Sequence, residues 1–322
     1  MNAWLAVLLL SLPASAGDFD ALGAAFTQAS LAAAASRVSA EKAAAAAAAL
    51  RSAAPSSWQV LAPGDLKAGT YHTRHAELFS KYAPGVNAMV LRGIDKVQSS
   101  AMDGGGYFTG PKASPAESPI GYALSLFGHE LLKPARKTSF CTGATYSALI
   151  EALNFLYAST PLALSPDRLE AIRLQEADGG RREDGVKFWG RWNADDTGAD
   201  YALVQYAGAG QVVAPRDARA GDFMGIDWKN GGSHSVIFLG WFVSKKEGRS
   251  MLVWSSQAVT NGLADYQVPL SRVAGVKIVR LTNPDALATF DVNGPALTKV
   301  AWDTIDWKPL QARWRRQAVA AR

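Results

Sequence analysis

The stretch SFCTGATYSALIEALNFLY, residues 139–157, decides how the rest of the chain is read. Ala144, Ala148, Leu149, Leu153, Leu156 and Tyr157 recur at three- and four-residue spacing, which predicts a helix over 141–157. Cys141 opens that helix. The first-turn N–H groups and the macrodipole favour negative charge there, so a thiolate at this position has a lowered pKa and is the reactive form. The same N–H groups suit the oxyanion of an acyl-transfer intermediate. Cys141 is the single cysteine of 322 residues, so no internal disulfide competes for it.

A reactive thiol needs a base, and the chain offers four histidines. His72 and His75 read as part of a polar surface helix, and His129 as part of another helix upstream of Cys141. His234 differs: it follows the Asn230-Gly231-Gly232 turn and opens the apolar run Ser235-Val236-Ile237-Phe238-Leu239-Gly240-Trp241. A strand edge holds an imidazole rigidly while leaving its tip in a cleft. Cys141 as nucleophile and His234 as base is therefore the expected pair.

Around this pair the chain divides by pattern. Residues 21–54 are dominated by Ala and predict a long helix. A short helix is expected near 75–81, a strand near 87–93, and a loop-rich, glycine-bearing stretch over 99–119. Ser165-Pro166-Asp167 is a helix start that leads toward Gly179-Gly180. A helix near 199–206 then precedes strands near 221–227, 234–243, 250–256 and 276–281. Helices followed by an antiparallel sheet define an α+β class.

Three segments in this order resemble the NlpC/P60 family of papain-like cysteine peptidases, whose wider superfamily includes the CHAP amidases. Cys141-Thr142-Gly143-Ala144 resembles that family's nucleophile motif, and Gly221-Asp222-Phe223-Met224 its Gly-Asp-apolar strand. His234-Ser235-Val236-Ile237-Phe238-Leu239-Gly240 resembles its base strand. The likeness covers roughly 139–281. It implies a papain-like core with the nucleophile helix packed on an antiparallel sheet, and hydrolysis of amide bonds, typically in peptidoglycan stem peptides. An acyltransferase, an amidase toxin of the same superfamily, or a wall-binding module with a vestigial site are the other uses of such a core. Two departures stand out. Phe140 occupies a position where the family usually has Asp or Asn, and Cys141 and His234 are more widely separated than usual. The extra length falls in 161–196, which is expected to form a helical cap that overhangs the cleft.

The resemblance places the residue that orients the base on the strand after the base strand. There Ser255 and Gln257 share one face. Gln257 offers an amide oxygen for the imidazole N–H, and Ser255 is the second candidate. Tyr107 in the glycine-rich loop, Tyr122, Ser255 and Trp254 are the expected substrate-contacting residues, with Trp189, Trp192 and Trp228 as possible stacking surfaces. Asp222 reads as an acceptor for turn N–H groups.

The ends and the composition complete the picture. Residues 1–16 combine the short apolar core Leu5 to Leu12 with a small-x-small ending at Ala14-Ser15-Ala16, the pattern of a cleaved export signal. That predicts a periplasmic or secreted protein, not integral to the membrane. The expected organisation is a leader at 1–16, an Ala-rich arm at 17–55, an N-terminal subdomain and loop at 56–130, a catalytic core at 131–285, and a C-terminal extension at 286–322. The extension carries the basic run Arg313-Trp314-Arg315-Arg316. A net charge of +5 favours anionic surfaces; for an exported chain those are wall polymers or lipid, and no nucleic-acid partner is expected. Motifs for metals, nucleotides and flavins are missing from the sequence, so no cofactor is expected.

Overall fold

The computed structural model describes residues 61–107, 120–132, 139–173, 188–189, 198–244, 248–294 and 299–311, apart from 62, 67, 121 and 309. The chain divides into two compact units, 1–46 and 47–322. All described residues belong to the second. The leader, the Ala-rich arm and the basic tail lie outside the described residues.

The core is a six-stranded antiparallel sheet and the helices that cover one of its faces. In chain order the elements are α1 (His75–Phe79), α2 (Asn87–Gln98), the small hairpin β1 (Leu124–Leu126) and β2 (His129–Leu132), α3 (Cys141–Leu156) and α4 (Pro166–Ile172). A π-helical segment Asp200–Tyr206 follows. Then come β3 (Gly210–Val212), β4 (Phe223–Trp228), β5 (Ser233–Ser244), β6 (Gly248–Gln257), β7 (Gly262–Pro269) and β8 (Val273–Leu281). The strand order is β3-β8-β4-β5-β6-β7, with every neighbouring pair antiparallel. The α+β class expected from the sequence is what the chain adopts.

α3 is apolar around most of its circumference and is buried from Cys141 to Leu153. A helix hydrophobic on all sides must be enclosed on all sides. α2 lies so close to it that a Cβ on Gly93 would fall 2.2 Å from the Ala148 carbonyl oxygen. Phe223, Ile237, Leu239, Trp254 and Val279 belong to the core cluster that includes α2 and α3. The alternating residues Met224, Val236, Phe238, Val253 and Ile278 pack instead with Trp307 and Leu310 of the C-terminal segment. Both faces of the sheet are therefore buried, which explains why β5 and β6 read as nearly continuous apolar runs.

Several local expectations change. Residues 87–98 form a helix rather than a strand, because Val90, Leu91, Ile94 and Val97 recur at helical spacing and all reach the core. His129 lies on β2, not on a helix. β7 had no expected counterpart. α4 begins where Ser165-Pro166 predicts, with Ser165 accepting from the Arg168 N–H, and it closes at Ile172. Within the expected cap, 174–187 and 190–196 lie outside the described residues. Of the part that is described, 161–170 is exposed or half-buried, whereas Ala171, Ile172, Phe188 and Trp189 are core, and Trp189 donates its indole N–H to the Thr142 carbonyl. Among the described residues no helix is long and apolar enough to cross a membrane.

Candidate active site

Cys141 and His234 meet although they are distant in sequence. Phe140, in extended backbone (φ −137°), turns the chain into α3 and places Cys141 at its first position. Thr145 and Ser147 return their hydroxyls to carbonyls of the first turn, and Thr145 also meets the Ser235 hydroxyl at 2.9 Å. This ties the start of α3 to the start of β5. His234, the second residue of β5, is buried and 8% exposed.

The imidazole has a defined orientation. Gln257 donates its amide N–H to the Ala264 carbonyl at 3.1 Å, which fixes Oε1 as the end that faces His234 Nε2 at 3.2 Å. An amide oxygen only accepts, so Nε2 carries the proton and Nδ1 is left for the thiol. Burial lowers the His234 pKa, but the hydrogen bond and charge of Cys141, with a smaller part from Gln257, raise it above the ordinary histidine value. That balance favours a thiolate–imidazolium pair. Trp228 is stacked on the ring, 6.1 Å between centroids.

The glycine-rich loop brings in Tyr107. Gly106 donates its N–H to Asn261 and accepts from Ser139, two residues before the nucleophile. This close approach needs Gly262, where φ is +123° and a Cβ would lie 1.9 Å from the Gly104 oxygen. Tyr107, bridged to Ser139, is half-buried. Burial and the neighbouring Cys141 charge push its pKa up to about 12, so it stays a phenol able to donate.

Other expected contacts are not at the cleft. Trp254 is fully buried and donates to Gln98 Oε1 at 2.7 Å, which makes it a core residue. Ser255 is fully buried and donates to the Ser235 carbonyl, joining β6 to β5. Tyr122 donates to Glu151 at 2.7 Å, on the other side of α3's sequence from Cys141, and burial with that carboxylate raises its pKa. Trp192 lies outside the described residues. Asp222 is structural as expected: it accepts from the Arg219 N–H and is clamped by Arg280 and Asn87.

A second histidine cluster went unseen in the sequence. His72 and His75, expected on the surface, are buried, 6% and 1% exposed. His72 Nε2 lies 2.9 Å and His75 Nε2 2.8 Å from the two oxygens of Asp265 on β7. His75 Nδ1 meets Asp95 at 2.7 Å. The signal was Asp265 inside an alternating strand, which goes unnoticed when the strand itself is missed. Among the described residues these are the ones whose donor atoms come within 4.8 Å as a possible metal set. The rings, however, are stacked 4.2 Å apart with 20° between their planes. Their in-plane lone pairs run side by side and do not converge on a point about 2 Å from both. His72 Nδ1 also accepts from the Arg74 N–H, which leaves Nε2 protonated. The geometry suits shared protons.

Beside His234 opens a cleft lined among others by Thr142, Ser235, Gly225, Asp200, Lys277 and Trp302. None of the last four was singled out from the sequence. The chain matches no known protein family, no curated protein and no solved structure.

Proposed function

We propose that this protein is an exported, papain-like cysteine hydrolase of the NlpC/P60 type that cleaves amide bonds, with peptidoglycan stem peptides as its substrate. The observation that carries the reading is the oriented imidazole. His234 is buried, held through Nε2 by Gln257, and hydrogen-bonded to a thiol at a helix N-terminus.

In this reading the Cys141 thiolate attacks the amide carbonyl carbon, and the carbonyl electron pair moves to oxygen beside the α3 N-terminus. The intermediate collapses as the C–N bond breaks, and His234 gives its Nδ1 proton to the leaving nitrogen. The product is an amine and a thioester on Cys141. Water, deprotonated by His234, attacks the thioester; carboxylate leaves and the thiolate returns. Gln257 keeps the ring in the tautomer that both steps use, and Tyr107 offers a phenolic O–H at the rim.

The test is incubation of the purified full chain with peptidoglycan, followed by mass spectrometry of soluble muropeptides. New free amine and carboxylate ends are expected with the parent protein and not with Cys141→Ala. Equal products from both proteins, or none from either, would overturn the reading.

A further inference from the structure

The cleft beside His234 holds a pair of buried opposite charges that the hydrolytic steps do not use. Lys277 on β8 lies opposite Gly225 on β4, which in turn lies opposite Ser235 on β5. Residues directly opposite one another share a face, so the three form one row with a gap at its centre, where glycine has no side chain. Trp302 lies across that gap: a Cβ on Gly225 would be 3.6 Å from the indole edge. Trp302 is held there because Asp303 pairs with Val276 of β8, yet the residue is 43% exposed.

Lys277 is 4% exposed and its ammonium lies 3.1 Å from Asp200 Oδ2, whose side chain is 14% exposed. It also lies 4.7 Å from the Trp302 ring centroid. Although the ammonium is near, Asp200 Oδ2 is a buried oxygen that no aligned hydrogen-bond donor reaches among the described residues. Sequestering two charges in the cleft that His234 and Thr142 line is costly, and a buried pair adds little net stability.

We infer that Lys277, Asp200 and Trp302 form a subsite for an unblocked α-amino-acid head, the ammonium and carboxylate of one carbon, on the substrate of the proposed hydrolase. The charge pattern selects this class. A lone anion would have to strip Lys277 from Asp200, and a lone cation the reverse. A zwitterion meets both: its carboxylate faces Lys277 and its ammonium faces the underused Asp200 oxygen. The two charged groups of an α-amino acid are separated by about 3 Å, close to the 3.1 Å between the protein's own charges. Four alternating charges then close a square. Trp302 supplies an apolar wall for the attached side chain, and Gly225 leaves the room.

This subsite rests on the hydrolase reading for its purpose but is tested without turnover. The probe is norleucine, an apolar arm on a zwitterionic head, in both stereoisomers. The readout is protection of Cys141 in the full chain from alkylation by iodoacetamide. A ligand this small binds with a Kd of order 1–10 mM, so about 20 mM should slow alkylation roughly threefold or more. N-acetyl-norleucine and norleucine amide, each lacking one charge, should protect little. Lys277→Met and the charge-neutral double variant Lys277→Met/Asp200→Asn should lose the protection, each judged against its own unprotected rate. Equal protection by the free and blocked probes, or none by norleucine, would overturn the subsite. Neither result bears on whether the protein hydrolyses amides, which the muropeptide assay decides separately.

Discussion

Two buried histidine sites lie against one sheet, His234 on β5 and His75 of α1 against Asp265 on β7, with β6 between those strands, and they differ in what stands opposite the ring. His234 has a neutral amide on one nitrogen and a thiol on the other. His75 has a carboxylate on each. Burial penalises the charged imidazole in both. At His75 two fixed anions overcome that penalty and hold the pKa at about 9. At His234 the anion is the thiolate, which exists only when the proton has moved. The first arrangement stores a proton; the second exchanges one. A buried histidine is suited to catalysis when its charged partner is conditional.

The contrast is broken most directly at the thiol. Cys141→Ala should reduce turnover by roughly 10³-fold or more, and His234→Ala by nearly as much, since such residues act as a unit. The fold should survive, because Ala suits a helix start and the bond to His234 that is lost serves the chemistry. If the rate of Cys141→Ala exceeded a tenth of the parent's, the site would lose its nucleophile. At the other site the loss should be in stability. Asp265→Asn leaves His72 and His75 without their shared anion, and breaking a buried charge pair costs about 3–5 kcal/mol. For a domain of this size that lowers Tm by roughly 10 °C. Turnover measured below the transition should stay close to the parent's. A variant that melts normally but does not turn over would make this cluster part of the chemistry.

How much of this was legible in the sequence follows from where the constraint is local. The start of α3 and the strand after His234 were readable because a helix period and a continuous apolar run are written in adjacent residues. Gln257 was reachable because alternation along one strand narrows the choice to two. Ser255 dropped out for a reason the sequence does not carry: its hydroxyl is consumed by the Ser235 carbonyl across the sheet. Trp254 likewise looked like a cleft wall until Gln98, on a distant helix, took its N–H. The His72–His75–Asp265 cluster and the Lys277–Asp200 pair were invisible because their partners lie far apart in the sequence. Reading 87–93 as a strand compounded this, since the helix Asn87–Gln98 that carries Asp95 to His75 was then not anticipated.

The middle-sized prediction concerns the element that separates the two sites, the neutral amide. Gln257→Ala should lower kcat/KM by about 10- to 100-fold, less than the roughly 10⁴-fold seen when a triad carboxylate loses its charge, because Gln257 contributes orientation without charge. The alkaline limb of the profile reports loss of the His234 proton and should lie above the ordinary histidine value in the parent. Gln257 is one of the groups that raise it, so the limb should move down in the variant. A rate loss with no movement of the limb would reduce Gln257 to packing.

The smallest expected effect is the pH dependence of stability at the proton-storing site. The groups facing His75 are Asp95 from α2 and Asp265 from β7, with His72 stacked against it. Its pKa is raised from 6.5 to about 9 in the fold, so the folded state binds a proton that the unfolded chain releases above 6.5. That stabilisation is full below pH 6.5 and fades as pH rises through about 9. Asp265 is displaced the other way, below its ordinary 3.8. Its contribution is present above that value and is lost as pH falls through the lowered one. Tm should therefore be highest between about pH 4 and 6.5 and decline toward pH 9 and beyond. The measurement belongs in a Cys141→Ala background, where His234 lacks its thiolate and does not add a similar slope. His75→Gln should flatten the decline. A Tm that stays level from pH 6.5 to 9 in the Cys141→Ala protein would mean that His75 is neutral in the fold, and the distinction between the two sites would fall.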